Sequence, residues 1–312
     1  MTKAVAYFPG QGAQQVGMLA DLAEQFSIIG QTFEEASDAI GQDLWALSQQ
    51  GPAEELNLTY NTQPALVTAS AAVWRLLQRE AFEELEVIAA AGHSVGEYAA
   101  LNAAGVLSLQ DAVRLVKKRG ELMDNAVPAG QGGMAAVLGL DEEQIRQVCA
   151  DASAAGVVEP ANFNAPGQIV IAGIAGAVEK ACELAKAAGA KRALPLQVSG
   201  PFHSSLMKEA AEPFVEALDQ ASWNEPLFPV FHNATNAPAV VGDMKQRLIE
   251  QLYSPVNWIG AVEASSQGIE LALEVGSGKV ISGLNKRINK GLSTVPTCDL
   301  ANLEKAVAAL KA

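Results

Sequence analysis

Short apolar runs alternate with amphipathic stretches along nearly the whole 312-residue chain, the pattern of an α/β protein. Residues 5–8 read as a strand stopped by Pro9-Gly10-Gln11-Gly12, residues 66–78 as a helix, and residues 86–91 as a buried strand. Helical periodicity returns over 97–104 and 109–125. The middle differs. A strand over 132–138 precedes a helix that Asp141 caps, with Gln144 placed for a capping box and an end near 152. Strands over 157–163 and 168–172 flank Asn164-Ala165-Pro166-Gly167, followed by a helix over 178–188 and a closing strand over 192–198. That order, β-α-β-β-α-β, is ferredoxin-like.

Gly- and Pro-rich segments at 127–133 and 199–201 flank the middle region like hinges. The expectation is therefore a subdomain over 127–199, inserted between residues 1–126 and 200–312 of a larger α/β domain. The later part predicts helices over 204–221, 244–252, 258–265, 280–288 and 302–310. Strands are predicted over 230–232, 271–275 and near Thr294.

Charge narrows the function. Lys plus Arg is 21 and Asp plus Glu is 35, a net −14, which argues against a nucleic-acid partner. Cys149, Cys182 and Cys298 are far apart, so no disulfide framework or cysteine zinc site is expected. Residues 1–8, interrupted by Pro9-Gly10, are not expected to act as a signal peptide, and there is no apolar run of about 18 residues; the expected location is the cytoplasm, with no membrane partner. Gly278-Lys279 is not a phosphate loop, because Leu273 and Val280 stand where glycine and Ser/Thr belong. Gln15 likewise spoils a dinucleotide fingerprint after Gly10. Neither a metal nor a resident cofactor is expected.

Gly92-His93-Ser94-Val95-Gly96 fits G-x-S-x-G in its required setting, after a strand and before a helix. There Ser94 is the candidate nucleophile, and the Val95 N–H at the helix start can donate to an oxyanion. A serine needs a base, and only His93, His203 and His232 occur. His93 adjoins the nucleophile and serves to position the turn, while His232 reads as a strand-end core residue. His203, at a loop-to-helix junction, is the candidate base.

Phe8-Pro9-Gly10-Gln11-Gly12, Gly92 to Glu97, Arg119-Gly120-Glu121-Leu122-Met123 and Phe202-His203-Ser204 together resemble the ordered signatures of the acyltransferases of fatty-acid and polyketide synthesis. The likeness is to their malonyl-CoA:acyl carrier protein transacylase branch. It implies a hydrolase-like α/β domain with a ferredoxin-like insertion and the site between them. It also implies Ser94 as nucleophile, His203 as base, and the Gln11 and Val95 N–H groups as oxyanion donors. A backbone carbonyl at Gln251 would orient the imidazole, and Arg119 would clamp the substrate's free carboxylate. Without the resemblance, Arg119 reads as part of a solvated basic helix face. His93 and Asn162 are further possible substrate contacts. The implied reaction is ping-pong transfer of malonyl from malonyl-CoA, a substrate, to the thiol of an acyl carrier protein. A serine esterase or thioesterase, and a carrier-binding subunit with a vestigial site, are the alternatives.

Overall fold

The computed structural model describes residues 1–81 and 83–311. Its strands are β1 (Thr2–Phe8), β2 (Leu85–Gly92), β3 (Gly132–Leu138), β4 (Val158–Ala165) and β5 (Gln168–Ile174). They continue with β6 (Arg192–Pro195), β7 (Val230–Phe231), β8 (Val256–Asn257), β9 (Leu271–Glu274) and β10 (Ser293–Pro296). Two five-stranded sheets result.

The first sheet has the order β10-β9-β1-β2-β7, and each of its neighbouring pairs is parallel. Parallel sheets need cover on both faces, and the apolar runs supply it: Ala4 to Phe8 of β1 are all buried. On one side lies the helix Thr59–Ala81, buried around most of its circumference, with Ser27–Ile40 and Leu109–Asn125 packed against it. A helix apolar on every side belongs inside the protein.

The second sheet has the order β6-β3-β5-β4-β8. Its first four strands pair antiparallel, and β8 joins β4 in parallel. The helices Glu142–Ala152 and Ala175–Ala187 cover one face, around a separate core that includes Val137, Ile145, Phe163, Ile171 and Val178. The Asp141 capping box forms with Gln144 as expected.

Several boundaries differ from expectation. β4 runs on to Ala165, which pairs with Gln168, so the turn is only Pro166-Gly167, with Gly167 at φ 68°. The closing strand ends at Pro195 instead of 198: Leu196 N–H still reaches the Met134 carbonyl, but Val198 N–H turns back to Leu196. The helix expected over 204–221 is a 3-10 turn, Ser205–Met207, followed by the helix Lys208–Gln220. Four helices between Ala20 and Leu56 and the two-residue β8 had no counterpart in the sequence reading. No described helix is long and apolar enough to cross a membrane.

Candidate active site

Ser94 lies just past the carboxyl end of β2, where parallel sheets present their ligands. Its φ is 51°, a left-handed value that costs a non-glycine residue about 1–3 kcal/mol. The flanking glycines make this turn sterically possible. A Cβ on Gly92 would lie 1.9 Å from the Gly96 carbonyl, and one on Gly96 would lie 2.3 Å from the Phe8 carbonyl oxygen. Asn233 pins the elbow from outside: the Ser94 N–H donates to its Oδ1 (2.7 Å), and its Nδ2 donates to the Gly92 carbonyl (2.7 Å).

Ser94 Oγ is 2.7 Å from His203 Nε2, and His203 Nδ1 is 2.8 Å from the Gln251 carbonyl oxygen. That carbonyl can only accept, so Nδ1 carries the proton and Nε2 is free to take the hydroxyl's. His203 also sits at a left-handed φ of 60° and is 3% exposed. Burial pushes its pKa down to about 3, and the charge of Arg119 adds to the effect; the Gln251 hydrogen bond opposes them.

Arg119 is 1% exposed, not solvated. Its Nη1 donates to Gln63 Oε1 (2.9 Å), and its Nη2 donates to Gln251 Oε1 (2.9 Å) and to Ser94 Oγ (3.2 Å). Its Nε has no protein partner among the described residues. Gly120 brings this about: a Cβ there would lie 2.6 Å from Tyr60 Cα, so its absence lets the two helices close and Gln63 reach the guanidinium. Burial pulls the Arg119 pKa below its ordinary value, while Tyr98 and Glu97 act to raise it. The neighbouring lysines do face outward; Lys118 is exposed and Lys117 bonds Gln42.

Gln11 follows β1 in a turn, and Val95 precedes the helix Gly96–Ala103. Neither N–H donates to a protein acceptor among the described residues. His93 is turned away: its Nε2 meets Asn164 Oδ1 of β4 at 2.7 Å, and its ring lies 5.6 Å from that of Trp258. Burial lowers its pKa. Asn162 is buried in β4 and makes no hydrogen bond to Ser94, His203 or Arg119. Gln63, Glu97, Asn164 and Asn233 complete the network and were not among the sequence candidates. Among the described residues no group of three or more His, Cys, Asp or Glu could hold a metal. At the helix that follows the rejected phosphate loop, the Glu274 carboxylate accepts from Ile281 N–H (2.9 Å) and Ser282 N–H (2.8 Å).

Residues 6–277 match the acyl transferase domain family. The malonyl CoA-acyl carrier protein transacylase of Escherichia coli is 52% identical over 290 residues, covering 92% of this chain and 93% of that protein. An acyl carrier protein S-malonyltransferase from Vibrio cholerae superposes with a TM-score of 0.92 at 51% identity, over 98% of this chain and 99% of its own. A malonyl-transacylase solved in complex with its type II polyketide synthase acyl-carrier protein gives 0.95 at 48% identity, over 99% of this chain and 100% of that one. Likeness of this degree, in sequence and in fold alike, runs from end to end, and the chain belongs to the acyl transferase family.

Proposed function

We propose that the protein transfers a malonyl group from malonyl-CoA to the phosphopantetheine thiol of an acyl carrier protein, through a malonyl ester on Ser94. The observation that carries this reading is the buried Arg119 fork, 3.2 Å from Ser94 Oγ and bonded only to neutral groups. A buried cation with no carboxylate in direct contact is costly, Glu97 acting on Arg119 only from behind the Gln251 amide, and a planar fork suits a carboxylate. A malonyl thioester offers that carboxylate one methylene away from the carbonyl to be attacked.

In the first half-reaction His203 Nε2 takes the Ser94 proton as Oγ bonds the thioester carbon. The oxyanion lies against the Gln11 and Val95 N–H groups. The C–S bond breaks as His203 returns the proton to the departing coenzyme A sulfur. The carrier thiol reverses these steps on the ester, giving malonyl-carrier and free Ser94. The reaction needs two substrates and no resident cofactor, and we place it in the cytoplasm. Residues 127–199, which hold a core of their own and four of the five strands of the second sheet, form the inserted subdomain in this reading; beyond the substrate contact proposed for them, His93 and Asn162 tie it to the larger part through Asn164 and Val256. An equimolar mixture of malonyl-, acetyl- and methylmalonyl-CoA tests the function by intact-protein mass spectrometry. The expected product is a single malonyl adduct; a dominant acetyl adduct, or none, would refute it.

The base sets an expected pH profile. The acid limb of kcat/KM for acylation reports His203 in the free enzyme. Its neutral form is the active one, so a pKa lowered from 6.5 to about 3 extends activity toward acid. Stopped-flow acylation should stay level on descending through pH 6.5, and an inflection there would contradict the assignment. Between those two values the unfolded chain binds a proton at His203 that the folded one does not, so stability should fall as pH drops through the window.

A further inference from the structure

Glu97 lies three residues beyond Ser94, in the first turn of the helix Gly96–Ala103, and is 0% exposed. Its carboxylate accepts from three donors: His232 Nδ1 at 2.5 Å, Asn233 N–H at 3.0 Å and Gln251 Nε2 at 2.6 Å. Two of these pass the constraint onward. Asn233 holds both sides of the nucleophile's elbow. Gln251 presents Oε1 to Arg119, Nε2 also to the Ser94 carbonyl at 3.1 Å, and its own carbonyl to His203.

A glutamine amide has nearly the same shape when its oxygen and nitrogen exchange places, so its neighbours decide which end faces where. A carboxylate can only accept. Facing Glu97, the Gln251 amide must present its NH2 there and leave its oxygen for the guanidinium. With the amide reversed, Nε2 would meet Arg119 Nη2, donor against donor. We propose that Glu97 is a positioning residue for malonyl selectivity: by accepting from Gln251 Nε2 it fixes the amide that seats the Arg119 fork. His232 fills the carboxylate's other oxygen, and its own Nε2 has no partner among the described residues, so the ring's visible polar contact is this one. The inference rests on Arg119 meeting the malonyl carboxylate, as proposed above.

Glu97→Gln tests it. The new amide cannot accept from both His232 and Gln251 on oxygen alone, so Gln251 loses its charged acceptor and keeps only Arg119 and the Ser94 carbonyl to hold its amide. Losing a hydrogen bond to a buried charged group corresponds to about a tenfold to hundredfold effect. The ratio of malonyl-CoA to acetyl-CoA rates in single-turnover acylation should fall by that factor. A ratio equal to wild type, whether or not both rates drop, overturns the proposal, because a merely structural role affects both donors alike. Should Glu97→Gln fail to fold, His232 supplies the second test. His232→Asn keeps an N–H donor toward Glu97 and should keep the ratio, whereas His232→Leu should lower it severalfold; equal ratios in the two overturn the proposal. Wild-type protein that forms no malonyl adduct would instead refute the underlying function, so the two failures are separable.

Discussion

Ser94→Ala should abolish the malonyl-enzyme and lower transfer by at least about 10⁴-fold, the scale on which a triad nucleophile acts. Ser94 Oγ faces His203 Nε2, whereas the adjacent alternative, Ser204, spends its hydroxyl on the Pro201 carbonyl at 2.6 Å. Alanine keeps the Cβ and the backbone bonds to Asn233, so the elbow should persist with its strained φ. Near-wild-type melting together with a blank adduct spectrum would therefore assign the loss to chemistry. Peptide mapping of wild type should place the label on Ser94, and an adduct surviving in Ser94→Ala would end the mechanism.

Arg119→Ala should divide the two donors. Truncating one partner of a buried hydrogen-bonded charge pair costs about 2–5 kcal/mol, or roughly 30-fold to 4,000-fold, and only malonyl-CoA has the carboxylate to lose. Acetylation of Ser94 should change by a few-fold at most. An equal loss for both donors would make Arg119 structural. Arg119→Lys should restore little, since an ammonium cannot reach Gln63, Gln251 and substrate as a planar fork does. Removing the charge should also move the acid limb upward, because Arg119 is the second cause of the lowered His203 pKa.

Ser94, the proposed nucleophile, was legible because its motif sits in a strand-turn-helix setting that hydrophobic pattern reveals, and His203, the proposed base, because only three histidines occur and it stands at a loop-to-helix junction. Arg119 was legible as chemistry only through family likeness, yet the chain did carry a physical clue. Ala112, Leu115, Val116 and Met123 share a helical stripe with it, and a cation in register with an apolar stripe points inward. The helix Ser27–Ile40 was missed although Ile29, Phe33 and Ala36 recur at helical spacing; polar residues between them diluted the apolar run. Glu97 entered only as the last residue of a family signature, and Asn233 and Gln63 carried no local sign. Their partners are 154, 136 and 56 positions away, and a polar residue satisfied by a distant one looks in sequence like any surface residue.

The parallel seam between β8 and β4 limits how this enzyme can be recombined. Asn162 and Phe163 take their outer partners from Val256 and Asn257, a segment supplied by the other part of the chain. Transplanting residues 127–199 from a relative with different donor tolerance would set a foreign strand edge against a native one. Gln251 lies only a few residues upstream of that join, so a misfit there would be transmitted to the carbonyl that holds the imidazole. A chimera built for altered selectivity thus needs two grafts, with residues 251–257 travelling alongside residues 127–199.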